Sequence, residues 1–293
     1  MNRRDFMMAS AVAGGAAALL KGMKAAAAPQ GPFADLPFRM SVPIDFFDGT
    51  TDQKLEKVAQ WGFPAYEWLG PEGDFAAIRA KSDALGLELS CIVGAGAIAP
   101  RQMLDPDDHD RVVAQFKGRI ELAKQLNCKR LIGLSGNTRK NVPADKQTEF
   151  MVKCLKRLAP MAEENGLMIV LEALNPLVDH KGYFLTRTDQ TMEIIEEVKS
   201  PNVKMLFDIY HQQITEGNVI RNFTKNIKNI GHFHVADNPG RKEPGSGELN
   251  YTNIFKAIAD TGYDGFVALE CGSTTDNNED ILKATLKCFG KSV

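Results

Sequence analysis

A short apolar run, a loop, an amphipathic segment and then Gly or Asn before the next apolar run: this unit recurs eight times from Phe38 to the C-terminus. It restricts the fold more than any other feature of the chain. The apolar runs are expected strands at Phe38–Pro43, Ala65–Trp68, Glu88–Val93, Arg130–Leu134, Met168–Leu171, Val203–Phe207, Gly231–Val235 and Phe266–Leu269. Helical periodicity marks Lys54–Trp61, Phe75–Leu85, Asp108–Leu126, Lys146–Asn165, Asp189–Lys199, Asn218–Asn229, Thr252–Thr261 and Asn278–Phe289. Glycine follows several of the helical runs, as Gly86 follows Leu85, where a left-handed residue closes a helix without a Cβ clash. Strands alternating with helices pair in parallel through right-handed crossovers, and eight such units suffice to close a barrel. The expected fold is therefore α/β, a single-domain (β/α)8 TIM barrel over residues 38–293. An open doubly wound sheet is the weaker alternative, because no Gly-x-Gly-x-x-Gly turn follows the first strand.

The barrel pattern begins late. Arg3 and Arg4 precede Phe6 and a weakly apolar, Ala- and Gly-rich stretch, Ala9 to Leu20, and then comes a small-residue run, Ala25 to Ala28. That is the layout of a cleavable export signal, and an apolar run of about a dozen residues is too short to span a bilayer. The arginine pair resembles the twin-arginine signal, with Asn2 and Met7 at places where that signal usually has Ser or Thr and Leu. Residues 1–28 are thus expected to direct export to the periplasm through the twin-arginine machinery, and residues 29–37 to form a tether.

Basic and acidic residues number 35 and 37, which offers no electrostatic grip on nucleic acid and leaves a small molecule as the expected partner. A second copy of the chain is a further candidate partner. The five cysteines are widely spaced, without a Cys-x-x-Cys pair, and are expected to be structural.

In a TIM barrel the chemistry sits at the C-terminal ends of the strands. The fifth expected strand runs into Glu172, the sixth into Asp208 and the eighth into Glu270, and the seventh carries His232 and His234. Glu172, Asp208, His234 and Glu270 each have the parity opposite to the bulky residues facing the helices, so all four are expected to point into the barrel mouth. Any one of these acids alone reads better as a cap on the following helix; it is the four in register that favour a shared site. Three converging carboxylates repel one another and lose hydration unless a cation neutralises them. Three oxygen ligands and one imidazole suit one divalent ion, Mn²⁺ or Mg²⁺, better than structural zinc.

Four segments then carry a resemblance: Leu171-Glu172-Ala173-Leu174-Asn175-Pro176, Gly182-Tyr183-Phe184-Leu185, Phe207-Asp208-Ile209-Tyr210-His211, and above all Ala236-Asp237-Asn238-Pro239-Gly240-Arg241-Lys242-Glu243-Pro244-Gly245-Ser246-Gly247-Glu248-Leu249-Asn250-Tyr251. They resemble the xylose-isomerase-like barrels of sugar isomerases and epimerases, and within them the hydroxypyruvate isomerases. The resemblance implies Glu172, Asp208, His234 and Glu270 as metal ligands, Glu172 and Glu270 as the acid and base, and His211 and Arg241 as substrate-binding residues. It also implies isomerisation of a small hydroxy-carbonyl compound through an enediolate, hydroxypyruvate to tartronate semialdehyde. Two positions depart from it. His234 is more typical of the ketose 3-epimerases, whereas Val178 stands where those epimerases carry a second glutamate. A ketose 3-epimerase or another polyol-active relative therefore remains open, as does a non-catalytic sugar-binding barrel. A three-zinc phosphodiesterase is disfavoured by only five histidines.

Other polar residues carry weaker expectations. His211 should lie on a loop over the site, and His232, one layer deeper than His234, should be a buried hydrogen-bonded residue. His180 should sit in the loop after Glu172, and Tyr66 and Trp68 should pack at the end of the second strand. His109 should be solvated within a charged segment, and Cys91-Ile92-Val93-Gly94-Ala95-Gly96 should end in a flexible loop.

Overall fold

The computed structural model describes residues 30–292; the signal-like segment 1–28 lies outside the described residues. The strands are β1 (Arg39–Pro43), β2 (Ala65–Glu67), β3 (Glu88–Leu89), β4 (Ile92–Ala95), β5 (Arg130–Gly133), β6 (Met168–Glu172), β7 (Val203–Asp208), β8 (Ile230–Val235) and β9 (Phe266–Leu269). Between and after them run α1 (Thr51–Gln60), α2 (Phe75–Leu85), α3 (His109–Leu126), α4 (Ala144–Glu164), α5 (Thr188–Val198), α6 (Ile209–Thr215), α7 (Val219–Asn226), α8 (Tyr251–Asp260) and α9 (Asn278–Cys288). All strand pairs are parallel, in the order β3-β2-β1-β9-β8-β7-β6-β5-β4. The two ends of that order, β3 and β4, are successive halves of one chain segment, so the sheet is a nearly closed (β/α)8 barrel.

The third expected strand, Glu88–Val93, is broken at Ser90 and Cys91. There the chain changes neighbours, pairing with β2 before the break and with β5 after it. The Ser90 hydroxyl at the break lies against β2, within hydrogen-bond reach of the Tyr66 carbonyl and of Glu67. Gly94 is strand and not flexible loop, which corrects the expectation for Cys91–Gly96. A Cβ at Gly94 would stand 2.6 Å from the Leu131 Cβ, so glycine here permits close approach of two strands.

Two further expectations are corrected. His109 is buried, with its Nε2 3.0 Å from the Met103 carbonyl oxygen, because the 3₁₀ turns before α3 fold the chain back over it. The tether is not free along its described part. Phe33 is buried and stacks on Phe63 with ring centroids 4.0 Å apart, and Lys291 donates to the Pro32 carbonyl, 3.2 Å away. An aromatic side chain of that size returns more free energy buried than exposed, which draws the segment onto the barrel.

The N-terminal end of the barrel is closed by Phe266, clamped between the Arg39 and Arg130 guanidinium groups at 4.1 and 4.8 Å from its centroid. The opposite end is open and polar. Among the described residues no helix is long and apolar enough to cross a membrane, and all five cysteines are free.

Candidate active site

Strand register brings the polar residues together. Asp208 of β7 pairs with His234 of β8, and Glu172 of β6 pairs with Leu206, two residues before Asp208. Residues level with one another in parallel strands share a face, so Glu172, Leu206, Asp208, His232 and His234 all point inward. Glu270 follows β9 directly, and its backbone N–H donates to the Val235 carbonyl. One ligand atom from each of Glu172, Asp208, His234 and Glu270 lies within 4.8 Å of the others, on residues that are buried except for the half-buried Glu270.

These four residues suit a cation. His234 Nδ1 is 2.7 Å from Glu270 Oε2 and 3.4 Å from Glu172 Oε1, yet it lies off any hydrogen-bond axis and has no partner within the protein. A buried imidazole nitrogen that faces carboxylate oxygens and has no partner in the protein is a donor set that a cation fits. Oxygen donors with one imidazole match a Mg²⁺- or Mn²⁺-type ion.

The environments of the two glutamates differ. Burial raises the Glu172 carboxyl above its ordinary range, and the negative Glu270 and Asp208 add to this against the pull of His234. Burial acts the same way on Glu270, but His234 and Arg241 outweigh it and hold that carboxyl well below the usual range. Two carboxylates whose environments push them apart are suited to opposite proton-transfer roles. Burial alone would lower His234, but Glu270 and Glu67 raise it well above the ordinary imidazole value. A proton and a cation would compete for this ring.

Glu67, at the end of β2, is the residue that sequence reasoning missed. Its Oε1 lies 2.8 Å from His234 Nε2, at ion-pair distance though off the ring's hydrogen-bond axis, and its Oε2 lies 2.9 Å from His232 Nε2. A carboxylate behind an imidazole orients the ring and leaves the other nitrogen free for a cation. The signal was available. Glu67 sits level with Pro43 and shares the inward parity of Ala65, so the alternation rule that selects the other four inward residues selects it too. His232 is buried and hydrogen-bonded, as its depth in the strand implies.

Arg241 reaches the site from the long loop after β8. The Asp237 carboxylate holds that loop by accepting from the backbone N–H groups of Asn238, Gly245 and Leu249, at 2.8, 2.9 and 3.1 Å. Arg241 itself has φ 55°, and its carbonyl accepts from Gly272 N–H. Its Nη2 donates to Glu270 Oε2 at 2.7 Å and to Asp208 Oδ2 at 3.2 Å. Both contacts use one nitrogen, which leaves the Nη1 and Nε hydrogens for another acceptor.

His211 is not on a loop. It lies in the first turn of α6, a helix that starts as soon as β7 ends because the Asp208 carboxylate caps it, accepting from His211 N–H at 3.2 Å. The ring is fully buried, with Nε2 3.5 Å from Asp208 Oδ2, and His180 stands edge-on to it with centroids 5.2 Å apart. Tyr66 packs in the core and hydrogen-bonds Ser82, whereas Trp68 lines a cleft of about 280 Å³ with Pro43, Asp45, Glu67, Leu69 and Glu270.

The comparisons with known proteins agree with this architecture. Residues 55–292 match the family described as the xylose isomerase-like TIM barrel, and the chain belongs to that family. Within it, the chain is similar to the hydroxypyruvate isomerase of Escherichia coli K12, 30% identical over 243 residues, covering 79% of this chain and 92% of that one. It is also similar to the 2-oxo-tetronate isomerase of Cupriavidus necator, 35% identical over 222 residues, covering 71% of this chain and 82% of the relative. Among solved structures, a family 2 AP endonuclease from Brucella melitensis superposes with a TM-score of 0.74 over 83% of this chain and 95% of its own. At 22% identity that likeness speaks for the fold alone.

Proposed function

We propose that this protein is a cation-dependent isomerase of small 2-oxo, 3-hydroxy carboxylates, converting hydroxypyruvate to tartronate semialdehyde. One observation carries the reading: four strand ends deliver Glu172, Asp208, His234 and Glu270 around an unpartnered buried imidazole nitrogen, with the Arg241 guanidinium at the rim. The names of the two isomerase relatives point to substrates that share a carboxylate next to a ketone and a hydroxyl on the next carbon. Arg241 would meet that carboxylate with its unused N–H groups.

Glu172, Asp208, His234 and Glu270 would hold the ion, Mn²⁺ or Mg²⁺. Once bound, it supplies a positive charge that acidifies the carbon-bound proton and stabilises negative charge on the substrate oxygens. The protein does the rest. Glu270, kept ionised by its neighbours, is placed to take the proton from the hydroxymethyl carbon. Glu172, on the other side of the cluster, is placed to return one to the former ketone carbon while the hydroxyl proton passes between the two oxygens. Burial of the cluster keeps water away from the enediolate.

Incubation of the cation-loaded protein with hydroxypyruvate in D₂O, followed by NMR, tests this. Deuterium is expected at C2 of tartronate semialdehyde. Absence of turnover with both hydroxypyruvate and 2-oxo-tetronate would sink the proposal. His234 as the nitrogen ligand favours a second reading, ketose 3-epimerisation, in which deuterium would enter C3 of an uncharged ketose instead.

Export through the twin-arginine pathway to the periplasm is part of the same proposal, supported by the Arg3-Arg4 pair and the short apolar stretch after it. Replacing both arginines by lysine is expected to keep the protein in the cytoplasmic fraction of a producing cell. Unchanged periplasmic recovery would contradict it.

A further inference from the structure

The Asn175 side chain is fully buried and makes four hydrogen bonds that leave no freedom in how its amide is read. Its Oδ1 accepts from the backbone N–H groups of Val178 and Asp179, at 3.0 and 3.1 Å. Both are obligate donors, so the atom facing them is the oxygen and the other is the NH₂ group. That NH₂ donates to Asp179 Oδ2 at 2.7 Å and meets His211 Nδ1 at 2.7 Å. The Asn175 backbone N–H also points at His211 Nδ1, from 3.4 Å. Two donors converge on this ring nitrogen, so it must be the acceptor. The proton of the neutral ring is then on Nε2, which is buried, has no hydrogen-bond partner and faces the cation cluster 3.5 Å from Asp208 Oδ2.

We propose that Asn175 is a positioning residue that fixes His211 as the Nε2–H tautomer, so that His211 donates a hydrogen bond to a substrate oxygen and does not take up the carbon-bound proton. This rests on the isomerase reading for its substrate, but not for the tautomer itself. The loop after β6 and the helix α6 are thereby joined at the site. Loop residues Val178 and Asp179 set the amide, the amide sets the ring, and α6 sets the ring's position through the Asp208 cap. A donor that cannot accept suits an oxygen that gains negative charge as the enediolate forms. Proton transfer at carbon is left to Glu172 and Glu270.

The test is long-range ¹H–¹⁵N NMR of Mg²⁺-loaded protein labelled with ¹⁵N-histidine, which separates the two neutral tautomers by their nitrogen shifts. His211 is expected to show a protonated Nε2 and an unprotonated Nδ1; the reverse pattern overturns the proposal whatever the activity. In Asn175→Asp, where a carboxylate can only accept, the proton is expected to appear on Nδ1. KM for hydroxypyruvate should then rise by about tenfold, the effect of one lost hydrogen bond, with a smaller change in kcat. Retention of the Nε2–H form in that variant would show that Asn175 is not the determinant. Should the variant fail to fold, the wild-type spectrum alone decides. Should wild-type protein show the expected tautomer and turn over no carboxylate substrate, the isomerase reading fails and this one stands.

Discussion

Glu172→Gln and Glu270→Gln should each lower kcat by at least about 10³-fold while the protein stays folded. Each substitution removes a charged cation ligand and a proton-transfer group together, and a positioned acid or base alone is worth on the order of 10²–10⁴. The fold should survive because neither side chain is part of the hydrophobic core, and glutamine preserves volume and hydrogen-bonding capacity. Glu172→Gln also takes a charge out of a crowded, buried group, where burial already disfavours ionisation. Its melting temperature should therefore equal or exceed that of wild type in the absence of cation. Glu270→Gln breaks the 2.7 Å contact with Arg241 and should lower it. Turnover with saturating Mn²⁺ and thermal unfolding followed by circular dichroism check both parts. Near-normal activity of either variant would remove these carboxylates from the reaction.

How much of this was legible in the sequence depends on how local each feature is. The cluster follows from alternation, a rule that needs only a strand and its parity, so the convergence of Glu172, Asp208, His234 and Glu270 could be read without knowing the barrel's curvature. Glu67 obeys the same rule, but its strand is only three residues long and offers little alternation to read. Its partners His232 and His234 lie far along the chain, so no local pattern links them. The break at Ser90 and Cys91 depends on where the barrel closes, a property of the whole sheet. The helix α6 is seven residues long, too short for helical periodicity to show, and is set by one cap, Asp208, which serves the cluster as well. The burial of His109 and Phe33 is likewise tertiary: polar or low-complexity surroundings predict exposure, and packing partners from other segments reverse it.

Arg241→Ala should distinguish a carboxylate substrate from an uncharged one. Two losses are expected, and they separate. The first is common to every substrate: Asp208 and Glu270 lose the guanidinium hydrogens that they share, so the cluster becomes more negative and less ordered. The second applies only when the substrate carries a charge of its own. Arg241 holds both carboxylates through Nη2, so its Nη1 and Nε hydrogens remain as charge-assisted donors to a substrate carboxylate. A charge-assisted pair in a partly buried site is worth about 1.5–3 kcal/mol, which corresponds to on the order of 10²-fold at the upper end. The fall in kcat/KM should thus be on the order of 10² greater for hydroxypyruvate than for an uncharged ketose that the wild-type protein turns over. Arg241→Lys, which keeps the charge but cannot hold Asp208, Glu270 and a substrate oxygen from separate nitrogens, should fall between. Steady-state kinetics of the three proteins on both substrates supply the comparison. Equal losses would mean that Arg241 serves only to organise Asp208 and Glu270, and the preference for a carboxylate would then have no structural basis.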